Sequence, residues 1–134
     1  MFAHNNTEID YFRMAVVNAM LIKEHLGVDV TIVTDQHSYD YVSKTIPESK
    51  IHEVIENVVI KDKDRTFKNT NSKVYRDTIN HQKSLSFYNL DRADAYDISP
   101  YDETIMIDAD YLILSNTLNS CWGSKNPLMM NYTW

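Results

Sequence analysis

The sequence predicts an α/β domain in which a mainly parallel sheet is flanked by helices. Three observations carry that prediction. Strand-like runs alternate with helix-like runs along the chain. One long amphipathic helix, over residues 8–26, follows an extended start. An apolar run, Ile105 to Leu114, carries two carboxylates one residue apart at the point where a strand should end.

Phe2 and Ala3 read as the last residues of a strand, followed by the polar loop His4 to Thr7. From Glu8 to Leu26 the spacing is helical, with Phe12, Ala15, Val16, Ala19, Ile22 and Leu26 on one face. Thr7 with Asp10 resembles a capping box, and Gly27 after Lys23 and His25 is a stop signal. Val28 to Thr34 alternates and then becomes fully apolar, a second strand ending at Asp35. Ser38 to Thr45 can form a short helix that Pro47 ends, and Val54 to Ile60 a third strand. Lys61 to Ser72 is nearly all polar and reads as a loop. Val74 to Leu90 is weakly helical, and Arg92 to Ile98 reads as a short helix closed by Ser99-Pro100. Thr104 to Ile107 then reads as a short buried strand.

Composition bounds the function. The 134 residues, 43% hydrophobic with only two Gly and three Pro, suffice for one domain with a core. A net charge of −6 argues against nucleic acid or an anionic membrane as a general partner. Cys121 is the only cysteine, which excludes an internal disulfide and fits a reducing, cytoplasmic setting. No membrane span and no signal peptide are visible. His4, His25, His37, His52 and His81 never recur at helical spacing, so a zinc site is not expected.

The two carboxylates, Asp108 and Asp110, require a reason. Burying an ionised carboxylate without a partner costs several kcal/mol, on the order of the penalties known for buried ions. In an extended backbone, residues i and i+2 point to one side, so both could present oxygens to a hard divalent ion, Mg²⁺ or Mn²⁺. The alternative is a turn in which each carboxylate caps a backbone N–H. Asp35, at the end of the second strand, is a further ligand candidate, because open α/β sheets bind ligands at the carboxyl ends of their strands.

In these blocks the sequence resembles the nucleotide-sugar-dependent glycosyltransferases of the GT-A fold. The likeness is to the retaining family that includes glycogenin and the bacterial lipopolysaccharide galactosyltransferases, and to phage-encoded relatives. Residues 1–26 look like the family's first strand, nucleotide loop and first helix. Ala3, Asn5 or Asn6, and Tyr11 take the places that surround the uridine, in a loop about two residues longer than the family's. Val28 to Asp35 is similar to the second strand. The most specific block runs from Arg92 to Leu114. Tyr96 lies four and Asp108 sixteen residues after Arg92, as an aromatic and the Asp-x-Asp follow a basic residue in the family. Arg92 stands where glycogenin-like members usually have Lys.

The resemblance implies a Rossmann-like GT-A nucleotide-binding half and a metal-dependent hexosyltransferase. Mn²⁺ or Mg²⁺ on Asp108 and Asp110 would bridge the diphosphate of a UDP-sugar, with Asp108 also at the ribose and Ala109 between them in the nucleotide site. Arg92 would neutralise the diphosphate, and Asn5, Asn6 and Tyr11 would hold base and ribose, with His4 in the same loop. The sugar acceptor and the catalytic residues are unassigned, and retention is inherited from the resemblance. Only 24 residues follow Asp110. The family's further metal-binding His and sugar-contacting residues therefore have no counterpart, and a fragment truncated at both ends is expected. The alternatives are a nucleotide-binding module without catalysis, a structural subunit, or a phosphohydrolase of the haloacid dehalogenase type. The last needs downstream residues for which this chain has no room.

Overall fold

The computed structural model describes residues 1–5, 8–61, 67–69, 85–87, 92 and 94–123. Helix α1 spans Tyr11–His25 and buries Phe12, Ala15, Val16, Asn18, Ala19 and Ile22, the face its periodicity predicts with Asn18 added. Asp10 is its N-cap, accepting from the Arg13 N–H at 3.0 Å. Thr7, the other half of the expected capping box, lies outside the described residues. The helix stops where both the Leu26 and Gly27 N–H groups return to the Ile22 carbonyl, at 2.8 and 3.1 Å. Gly27 then takes φ +67°, the left-handed conformation that a Cβ disfavours.

Strand β1, Thr31–Thr34, is almost fully buried and pairs in parallel with β2, Asn57–Ile60, with Ile32 opposite Val58. On its other edge β1 takes Met1 to Ala3 in parallel. The Val33 N–H donates to the Met1 carbonyl and the Ala3 N–H to the Val33 carbonyl, each at 2.8 Å. Three extended segments thus run side by side in one direction. Between β1 and β2 lie α2, Gln36–Ser43, and α3, Glu48–His52. Pro47 stands at the start of α3, where a missing N–H is no loss, rather than closing a longer α2. Phe12 of α1 meets Tyr39 of α2 edge to face, ring centroids 5.8 Å apart. The core gathers Ala3, the α1 face, Ile32, Val42, Ile51, Ile55, Ala109 and Ile113.

The mixed α/β class stands, but the parallel sheet is smaller than predicted. Residues 67–69 form β3, inside the segment read as a loop, and residues 85–87 form β4, inside the segment read as a weak helix. They pair antiparallel, Phe67 opposite Phe87. Two three-residue strands carry too little periodicity to be distinguished from a polar linker or a helix. Helix α4 is short, Ala95–Ile98, and ends at the extended Ser99 before Pro100. The expected strand at Thr104 to Ile107 is not a strand. Its residues keep the alternation of an extended segment, Ile105 and Ile107 half-buried and Met106 exposed, but among the described residues no strand pairs with them. An apolar groove separates them from Met1 and β1. A 3-10 turn, Thr117–Cys121, closes the described region. Among the described residues, no helix is long and apolar enough to cross a membrane.

Candidate functional site

Because Met1–Ala3, β1 and β2 run parallel, their carboxyl ends deliver His4, Asp35 and Lys61 to one edge. Each is then tied there. The buried His4 donates through Nε2 to the Lys61 carbonyl at 2.7 Å, since a carbonyl oxygen can only accept. The Thr34 hydroxyl donates to the Ala3 carbonyl at 2.6 Å. Asp35 caps α2, its two oxygens accepting from the Ser38 N–H at 2.7 Å and the Ser38 hydroxyl at 3.0 Å. The same hydroxyl accepts from the Asn5 N–H at 2.8 Å, so Ser38 joins the loop to the strand end. Asn5 in turn accepts, through its side-chain oxygen, from the Phe12 N–H at 2.8 Å and caps the first turn of α1.

Across the same edge, Lys61 Nζ reaches Asp94 Oδ2 at 2.5 Å, with both side chains about a quarter exposed. Two residues earlier, Arg92 forms an ion pair with Asp108. The Asp-x-Asp therefore lies close to the segment that carries Asp94. Its backbone is a turn, with the Tyr111 N–H donating to the Asp108 carbonyl at 3.1 Å. Ala109 is buried in the core while Asp108 and Asp110 on either side are exposed. Both carboxylates are exposed, but the i, i+2 argument presumed an extended backbone, and the turn found here does not place them on one side by that rule. The burial cost from which that argument began is not incurred, because neither is desolvated.

The turn is anchored from behind by Asn18. Fully buried in α1, its amide donates to the Tyr111 carbonyl at 2.7 Å and accepts from the Ile113 N–H at 3.2 Å. This residue, with Ser38, Lys61 and Asp94, is what sequence reasoning missed. A polar side chain on the apolar face of α1 was the signal for Asn18, and a Ser three residues after Asp35 was the capping signal for Ser38.

The other expected residues fall as follows. The Ala3 side chain is wholly buried, so only its backbone borders the edge. Tyr11 opens α1 and packs partly against the core. Asn6 lies outside the described residues. Among the described residues, no group of three or more His, Cys, Asp or Glu is placed to hold a metal ion. Two exposed carboxylates in one turn are nevertheless donors of the kind that suits Mg²⁺ or Mn²⁺, which bind through one or two carboxylates and fill the remaining positions with water and phosphate oxygens. Comparison with protein-family models, with curated proteins and with solved structures finds no match.

Proposed function

We propose that the chain is the nucleotide-binding part of a metal-dependent glycosyltransferase that takes a UDP-sugar. The observation that supports this reading best is the pairing of Arg92 with Asp108 beside the carboxyl edge of three parallel segments. Such edges are where open α/β sheets bind nucleotides. A cation and two carboxylates there meet the needs of a diphosphate and its counter-ion.

Asp108 and Asp110 would hold Mn²⁺ or Mg²⁺, which when bound supplies positive charge to the departing diphosphate. Arg92 contributes from this chain alone. Its guanidinium, paired with Asp108 in this structure, would donate to phosphate oxygens in a bidentate fork. The loop holds the nucleoside. Asn5 spends its side-chain oxygen on α1, which leaves its NH₂ group for a ligand, while Asn6 and Tyr11 follow it in sequence. His4, fixed as a donor to Lys61, sets the course of the loop. Asp108 thus has two roles, as the partner of Arg92 in this structure and as a carboxylate that would hold the ion.

A second reading, a nucleotide-binding module without catalysis, is favoured by the absence of a third metal-ligating side chain near the two carboxylates among the described residues. One experiment separates the readings from each other and from failure of both. UDP is titrated calorimetrically into the chain with and without Mn²⁺, and again into Asp110→Asn. Binding that needs the metal and disappears in the variant supports the nucleotide site, and release of UDP from a UDP-hexose then distinguishes transfer or hydrolysis from binding alone. No UDP binding in either condition overturns the proposal.

A further inference from the structure

Lys61 follows β2 directly, and both of its backbone groups are tied across the sheet. Its N–H donates to the carbonyl of Thr34, the last residue of β1, at 2.7 Å, and its carbonyl accepts from His4 Nε2 at 2.7 Å. The residue therefore stands in a fixed place at the carboxyl edge, joined to the ends of the two other parallel segments. Its ammonium reaches Asp94 Oδ2 at 2.5 Å. Asp94 is the N-cap residue of α4, where an Asp ordinarily accepts from a backbone N–H of the first turn. It makes no such capping bond. The carboxylate goes to Lys61 instead, so a local use of this side chain gives way to a contact across 33 residues of sequence. Two residues before it, Arg92 pairs with Asp108 of the Asp-x-Asp turn. Two residues of chain reach about 7 Å at most, so holding Asp94 confines the backbone of Arg92 to the neighbourhood of that edge.

We propose that Lys61 and Asp94 are positioning residues for Arg92. Their ion pair passes the fixed geometry of the sheet's carboxyl edge to the segment that carries the guanidinium, so that Arg92 stands at the Asp-x-Asp turn before any ligand arrives. The ordering cost of placing that cation is then incurred on folding rather than on binding, which is how preorganised groups add affinity. Both side chains of the pair are about a quarter exposed, so it adds little to stability, and its effect falls on placement. What Arg92 does at the turn, donation to a diphosphate, rests on the proposed function; where it stands does not. The competing role for Lys61 is direct contact with the phosphates, and the two are distinguishable because a direct contact would not act through Arg92.

UDP with Mn²⁺ is titrated calorimetrically into the full chain, into Lys61→Met, Asp94→Asn, Lys61→Arg and Arg92→Ala, and into Lys61→Met combined with Arg92→Ala. Lys61→Met and Asp94→Asn are each expected to weaken UDP binding about fivefold, and Lys61→Arg to stay within about twofold of the parent chain. Once Arg92 is gone, Lys61→Met should change nothing further. A further loss of the same size in the Arg92→Ala background overturns the proposal, because Lys61 would then act on the ligand directly. Parental UDP affinity in both Lys61→Met and Asp94→Asn overturns it as well. A second readout needs no nucleotide. The Arg92 Nε–H signal in heteronuclear NMR spectra, identified by its absence from Arg92→Ala, is compared with its position in Asp108→Asn, where the guanidinium has lost that carboxylate. In the unliganded chain, Lys61→Met and Asp94→Asn should both move the signal toward the Asp108→Asn position. A signal that keeps its parental position in both overturns the placement, whether or not UDP binds. If the parent chain binds no UDP, the proposed function fails, while this readout still decides whether the pair places Arg92.

Discussion

Arg92 and Asp108 pair across sixteen residues of sequence, joining the segment before α4 to the turn that carries both carboxylates. The side chains are 32% and 54% exposed, so the pair contributes little to stability, at most about 1 kcal/mol. Its consequence is for binding. Asp108→Asn is expected to shift the urea midpoint only slightly while weakening metal-dependent UDP binding by tenfold or more, about 1.4 kcal/mol. Arg92→Ala should weaken UDP binding in the presence of Mn²⁺ and bind Mn²⁺ alone no more weakly than the parent chain. Calorimetry of both variants checks this, and a loss of stability equal to the loss of affinity would contradict it.

Asn18 is the structural counterpart of that surface pair. It holds both sides of residue 112 to α1 by hydrogen bonds in the core. Asn18→Leu keeps the volume and leaves the Ile113 N–H buried without its partner, an expected cost of about 2–3 kcal/mol by urea denaturation. Because the turn at 108–111 hangs on this anchor, UDP affinity should fall as well, although Asn18 faces away from the site. A variant of parental stability would show that the two hydrogen bonds are not what fixes the turn.

How much of this was legible in the sequence depends on the range of the signal. Local periodicity sufficed for α1, whose buried face follows the 3.6-residue pattern, and for β1, whose apolar residues are buried on both sides. Asp35 was legible as a residue at a strand end, but its occupation as a helix cap became visible only with Ser38 beside it. The resemblance expected Arg92 and Asp108 to face one diphosphate, which the fold alone does not test; in the fold the two side chains form an ion pair, while Tyr96 is 91% exposed. What could not be read is what depends on a neighbour distant in sequence. Thr104–Ile107 has the composition of a strand, and a strand requires a backbone in register beside it. Propensity cannot report whether that backbone is there.

Asn5 separates structure from binding in a way that one substitution can test. Its side-chain oxygen satisfies the Phe12 N–H in the first turn of α1, one of the donors a helix leaves without an internal partner. Asn5→Ala should cost about 1 kcal/mol in the absence of any nucleotide, within the range of lost helix caps. Asn5→Asp keeps the acceptor and adds a negative charge near the positive end of the helix, so stability should be retained. If Asn5 also holds the nucleoside through its NH₂ group, Asn5→Asp should bind UDP more weakly than the parent chain despite that stability. Thermal melts with and without UDP and Mn²⁺ distinguish the two roles, and an Asn5→Asp chain that binds as the parent does would leave Asn5 as a cap only.

The Met1 amine makes the stability of this chain depend on pH with a definite sign. Its pKa is lowered from 8.0 to about 6 in the folded chain, by burial first and by the Arg92 charge second. Between those values the unfolded chain holds a proton there that the folded chain does not, so stability rises with pH through this window. Lowering the pH from 8 to 6 should therefore remove stability, approaching a loss of about 2–3 kcal/mol once the pH is below 6, from a shift of about two units at ~1.4 kcal/mol each. Other groups titrate over the same range, and the Nα-acetylated chain, identical except for this amine, provides the reference. Urea midpoints of the two chains should diverge as pH falls from 8 to 6, with the acetylated chain the more stable. Parallel curves would show that the amine reaches solvent in the folded chain and that its bond to the Thr31 carbonyl does not persist.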